Sequence, residues 1–168
     1  MLARSERSGV ETELVDVVQV AAERVEMWSP LALERDVSVQ MIGAGTPTGA
    51  ALRASAVPNA LEQIIDNLLD NAISIVDDGT TIDVTVGPES DTTGSWVAVH
   101  VLDRGPGMSD EQLAHALHRF WRAPDAPHEG SGLGLAIADH LARSSGGSLS
   151  LAHRPGGGLD ATVRLPRV

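Results

Sequence analysis

The sequence predicts an α+β domain, a two-layer sandwich in which a mixed, mostly antiparallel sheet packs against helices. Three observations carry this. Residues 81–86 alternate Ile82, Val84 and Val86 against polar residues, and 96–102 continue as a second strand. Residues 148–152 and 160–165 read as two further strands joined by a glycine turn at 154–158. Residues 55–76 and 133–143 carry helical periodicity, and no linker divides the chain.

The 55–76 stretch organises the rest. Ser55 is the expected N-cap and Pro58 suits the first turn. Leu61, Ile64, Ile65, Leu68, Leu69, Ala72 and Val76 recur at three- and four-residue steps and share a buried face. Gln63, Asn67, Asn71 and Ser74 form a second stripe. Asparagine is a middling helix former, so two of them one turn apart need a reason. They are either a solvated face or a pair of neutral amide oxygens that ligate Mg²⁺ without repelling a nucleotide's phosphates.

The remaining elements follow in order. Residues 1–9 are polar and expected to fray, and 13–16 form a short strand. Residues 17–36 form a helix, with Val18, Val20, Ala21, Val25, Trp28 and Leu31 facing inward and Pro30 inside it. A strand at 37–42, a turn at 43–50 and a short strand at 51–54 lead into the asparagine helix. Residues 87–94 read as a polar hairpin loop. Ser109 caps a short helix at 109–117, with Gln112 completing a capping box. Residues 123–131 hold two prolines, lack periodicity and read as a mobile segment.

Composition bounds the function. The 168 residues suffice for one well-buried domain. The net charge of -11 argues against non-specific nucleic-acid binding but not against a nucleotide held by local donors. There is no cysteine, so disulfides and thiolate metal sites are excluded. Aromatic residues make up 2% with no tyrosine, so the core must be aliphatic. No apolar run approaches the ~20 residues of a membrane span, and residues 1–10 lack a signal-peptide core, so no membrane insertion and a cytoplasmic location are expected.

Two glycine-bearing motifs carry chemistry. The strand ending at Leu102 runs into Asp103-Arg104-Gly105-Pro106-Gly107-Met108. An aspartate there can accept from an exocyclic amine, with glycines admitting a flat ring, although an ordinary Asp/Gly/Pro turn has the same composition. Gly130-Ser131-Gly132-Leu133-Gly134-Leu135 opens the 133–143 helix and can cradle phosphate on free amides, or serve simply as a flexible loop. It lacks the GK[ST] of a Walker loop and the βαβ setting of a dinucleotide fold.

The order of the motifs is more specific than any one of them. An NxxxNA helix precedes DxGxG, then Arg119-Phe120-Trp121-Arg122, then GxGLGL. In this the chain resembles the catalytic, ATP-binding domain of bacterial sensor histidine kinases, of the wider ATPase group with the Bergerat fold. The resemblance covers residues 13–168, with 1–12 resembling the end of a dimerisation helix. It implies ATP and Mg²⁺ as ligands. Asn71 matches the metal-binding asparagine, and Asn67 the one beside the phosphates. Asp103 matches the reader of the adenine amine, with Gly105 and Gly107 shaping the pocket. Phe120 matches the aromatic box at the lid, and Arg122 a γ-phosphate contact, with Arg119 a weaker one. Gly130, Gly132, Leu133 and Gly134 match the phosphate-holding glycine box. Gly156, Gly157 and Gly158 resemble the loose third glycine segment.

The chain departs from that pattern at three positions. Ser74 and Ile75 stand where a cation and then tyrosine or histidine is usual, and Ser55 replaces an aspartate. No histidine has the phosphoacceptor context, His100 reads as structural, and His128 falls in the lid. The expectation is therefore a catalytic module, monomeric alone, that passes the γ-phosphate of ATP to a histidine on a separate protein or an absent dimerisation domain. A response regulator lies downstream. The alternatives are a non-catalytic nucleotide-sensing module, or a serine kinase of anti-sigma type. Relatives of the latter carry glutamate where Asn67 stands.

Overall fold

The computed structural model describes residues 9–43, 51–119, 121 and 132–168. Its elements are β1 (Glu13–Asp16), α1 (Val17–Leu33), β2 (Ser38–Met41), β3 (Arg53–Ala56), α2 (Ala60–Ile75), β4 (Thr81–Asp91), β5 (Gly94–Leu102), α3 (Asp110–His115), α4 (Gly134–Ser144), β6 (Ser148–His153) and β7 (Leu159–Pro166). The main sheet runs β2-β4-β5-β7-β6, and β1 pairs with β3 in a separate two-stranded sheet. Only β2–β4 is parallel within the main sheet. The expected mixed, mostly antiparallel sandwich is therefore the observed architecture.

Period-two alternation decides which face is buried. Ile82, Val84, Val97, Val99, Val101, Ala161, Val163 and Leu165 join the core with α1, α2 and α4, while Asp83, His100, Thr162 and Arg164 take the other face. The apolar stripe of α2 is buried as expected, and Ile73 joins it. With a single phenylalanine and no tyrosine in the chain, this core is built from Leu, Ile, Val and Ala. Among the described residues no helix is long and apolar enough to cross a membrane.

Several local expectations need correction. Ser55 is not the N-cap of α2; it lies in β3 opposite Leu14, and the cap is Asn59 in a left-handed conformation (φ 61°) without a side-chain cap bond. Ala54 and Ala56 alternate as buried residues around Ser55, so pairing with β1 claims the segment before the helix can start. Leu31 is 51% exposed, because the inward stripe of α1 passes through Val17, Ala21, Val25 and Ala32 instead. Residues 87–94 are not a loop. The β4–β5 ladder continues to Asp91↔Gly94, where Asp91 accepts from the backbone amides of Thr93 and Gly94. The capping box of α3 is present, with Ser109 Oγ accepting from Gln112 N at 3.1 Å.

Candidate functional site

Helix α2 carries the asparagines, and its packing fixes where they lie. Asp66, beside Asn67, accepts two bonds of 2.8 Å from the Arg24 guanidinium and one of 2.8 Å from Trp28 Nε1, tying α2 to α1. Asn67 and Asn71 occupy the half-buried flank of α2, and among the described residues neither side-chain amide has a hydrogen-bond partner. Gly134, the first residue of α4, closes on this flank. A Cβ built there would lie 3.4 Å from Asn67 Oδ1. The N-cap Leu133 makes no side-chain cap bond, so the first-turn amides of α4 start beside Asn67 without a capping oxygen. Gly132 precedes them at φ 71°, left-handed backbone that favours glycine.

The C-terminal end of the same helix meets the loop after β5. A Cβ on Gly105 would lie 3.3 Å from the Ile75 carbonyl oxygen and 3.2 Å from Asp103 Oδ1. Asp103 is 2% exposed, and its Oδ1 accepts from Gly105 N at 2.9 Å and Leu159 N at 3.2 Å. Its second oxygen has no donor among the described residues. Burial pushes the Asp103 carboxyl above the usual carboxylate range, against the opposing pull of the two amides and the Arg154 charge. Gly107 adopts φ 71° with its open side 3.3 Å from the Gly158 carbonyl oxygen.

The structure thus brings Gly134, which follows Gly132 and Leu133, to Asn67 on the α2 flank that also carries Asn71, and brings Gly105, bonded to Asp103, to the end of α2, while Gly107 lies against Gly158. Phe120, Arg122, Gly130, His128 and the 123–131 segment lie outside the described residues. Among the described residues no group of three or more His, Cys, Asp or Glu is placed to hold a metal ion. At the departing positions, Ser74 Oγ donates to the Asn71 carbonyl at 2.8 Å and Ile75 packs against the core. Sequence reasoning missed two parts of the site. Leu159 supplies an amide to Asp103, a backbone role that no side chain advertises. Gly158 is also more than loose: a Cβ there would sit 2.1 Å from the Asp103 carbonyl oxygen.

The family described as "Histidine kinase-, DNA gyrase B-, and HSP90-like ATPase" matches residues 56–168, more than half of the chain and every position just assembled. The chain belongs to this family. Among curated relatives, this ATPase domain is 36% identical over 109 residues to the signal transduction histidine-protein kinase BaeS of Escherichia coli, covering 63% of the chain and 22% of that protein. It is 32% identical over 151 residues to the swarming motility regulation sensor protein RssA of Serratia marcescens, covering 90% of the chain and 30% of that protein. The domain therefore spans less than a third of these relatives. Among solved structures, the mycobacterial sensor histidine kinase MprB superposes with a TM-score of 0.74 at 23% identity, covering 94% of the chain and 98% of that one. The catalytic domain of histidine kinase ThkA superposes at 0.75 and 20% identity, covering 94% and 96%. These two share its fold. ShkA, solved in complex with AMPPNP, superposes at 0.74 and 25% identity, covering 95% of this chain and 32% of that one.

Proposed function

We propose that this domain binds ATP with Mg²⁺ and presents the γ-phosphate to a histidine on a separate protein or dimerisation domain, from which a response regulator takes it. The single observation that carries the reading is the approach of Gly134 to Asn67, which sets uncapped helix amides beside unpartnered side-chain amides. In this reading the free oxygen of Asp103 accepts a hydrogen bond from the adenine amino group. Gly105 and Gly107 keep side chains out of the plane of the base. The amides of Gly132, Leu133 and Gly134, continuing from Gly130, donate to phosphate oxygens.

Asn67 lies along the phosphates, and Asn71 offers its amide oxygen to the metal. The unpartnered state of both side chains fits that use. Mg²⁺, when bound, supplies charge neutralisation on the phosphates. Phe120 and Arg122 take the lid and γ-phosphate roles. The chain's own work is then positioning and electrostatics. A neutral imidazole is already a nucleophile, so an amide at Asn67 suffices where a hydroxyl or water would call for a carboxylate base.

Ser74 in place of the usual cation, with Ile75 packed against the core in place of tyrosine or histidine, favours a second reading as a nucleotide-sensing module without transfer. One experiment separates the two. The domain is incubated with γ-labelled ATP, alone and with a histidine-bearing dimerisation domain. The transfer reading expects acid-labile, base-stable label on the partner only. ATP binding without label on the partner supports the sensing module, and such label on this chain alone overturns transfer in trans.

A further inference from the structure

We propose that Arg104, the middle residue of Asp103-Arg104-Gly105, is a positioning residue that sets base selectivity by bracing the loop that carries Asp103; this rests on the reading of Asp103 as the adenine contact. Arg104 is exposed, yet its guanidinium folds back onto the sheet. Its Nη2 donates to Asp83 Oδ2 at 2.9 Å, and its Nη1 donates to the Thr81 carbonyl. Asp83 is 4% exposed, and its other oxygen accepts from Gln40 Nε2 at 2.8 Å. Gln40 and Asp83 are register partners across β2–β4, and Asp83 faces Leu102 across β4–β5. One guanidinium thus joins the start of the loop to β4 and, through Asp83, to β2.

The opposite flank of the same backbone is held without a side chain. Gly158 packs so closely that a Cβ would come within 2.1 Å of the Asp103 carbonyl oxygen and 3.1 Å of Arg104 Cα. The peptide between Asp103 and Arg104 is therefore held by contact from the turn before β7 and by an ion pair from β4. A planar, two-pronged donor suits this brace, because it reaches a carboxylate and a carbonyl together. Asp103 needs such support. Its carboxylate distinguishes an amine from a carbonyl only if its free oxygen stays where the base edge will lie, and small misplacements are costly.

The test is calorimetric titration of ADP and GDP into the whole domain, with circular dichroism to verify folding. Wild type is expected to prefer ADP. Arg104→Ala should reduce that preference by about three- to tenfold, the size of a single coupling between contacting groups. Arg104→Lys should restore part of it, since it keeps the charge but loses the fork. Asp83→Asn should lose the same preference, and the double variant should lose no more than either single change. An unchanged ADP-to-GDP ratio in folded Arg104→Ala overturns the inference and leaves the Asp103 reading standing. So does an equal loss for both nucleotides, which is what a merely structural role would give. A wild type without preference for ADP defeats the Asp103 reading itself and the inference with it.

Discussion

At the residue scale, the third glycine segment separates conformational freedom from close approach. Gly157 and Gly158 both sit at positive φ, 106° and 100°, so a side chain is strained at either. Only Gly158 is also crowded, since nothing lies within 4 Å of a Cβ on Gly157. Gly157→Ala should therefore cost about 1–2 kcal/mol from backbone strain alone. Gly158→Ala should cost on the order of 3 kcal/mol or more, because the Asp103 carbonyl or β7 must shift. Urea unfolding of the two variants measures the difference. Equal midpoints would show that the contact carries no weight. The triple glycine was legible in the sequence as a turn, but which glycine touches the Asp103 loop was not, since that contact joins residues far apart in the chain.

At the element scale, the open face of the sheet joins β4, β5 and β7 through His100. Its Nδ1 lies 2.9 Å from Asp160 Oδ1 and its Nε2 lies 3.1 Å from Glu89 Oε1, with Thr162 Oγ1 at 2.9 Å from Nδ1. Carboxylates only accept, so both ring nitrogens must donate and the ring is a cation when both contacts form. Asp160 foremost, and Glu89 with it, hold the imidazolium above its usual range against the effect of burial. Burial is the largest single influence and would raise both acids, but His100 together with Thr162 at Asp160 and with Arg164 at Glu89 outweighs it, and both fall below the usual range. The signs follow. The His100 contribution is fully present below about pH 6.5 and is lost as pH rises through its raised folded value. The acids' contribution is present above about pH 4 and is lost as pH falls through their lowered values. His100→Gln should therefore cost on the order of 1 kcal/mol near pH 5.5, allowing for solvent screening, and less at pH 9. Urea unfolding at the two pH values checks this, and a pH-independent difference would contradict it. Reading His100 as structural needed only its strand alternation, whereas Glu89 reaches it through the length of the β4–β5 hairpin and Asp160 through the pairing of β5 with β7. Residues 87–94 looked like a loop because Gly87 and Pro88 are poor strand residues, yet pairing with β5 overrides them and carries Glu89 to the histidine.

At the scale of the whole molecule, the architecture was legible because aliphatic periodicity persists over long segments. The boundaries were less so where short strands and helices compete, as at Ser55, where a second strand settles the matter. The site was legible because Asn67 and Asn71 break the helix-forming logic of α2, and because glycines gather where backbone must come close. What no pattern revealed were contacts made by backbone or across strands: the amide of Leu159, the closeness of Gly158 and the reach of Arg104 to Asp83. These contacts converge on the loop that carries Asp103, whose Gly105 meets the C-terminal end of α2 while Gly134 of α4 meets Asn67 along the same helix. If this arrangement binds ATP with Mg²⁺, titration of ATP into wild-type and Asn71→Ala protein, each with and without Mg²⁺, will register the loss of one ligand. Mg²⁺ should strengthen ATP binding to wild type, and Asn71→Ala, folded as before, should lose about tenfold or more in affinity, and only when Mg²⁺ is present. Unchanged ATP affinity of Asn71→Ala in Mg²⁺ would contradict it.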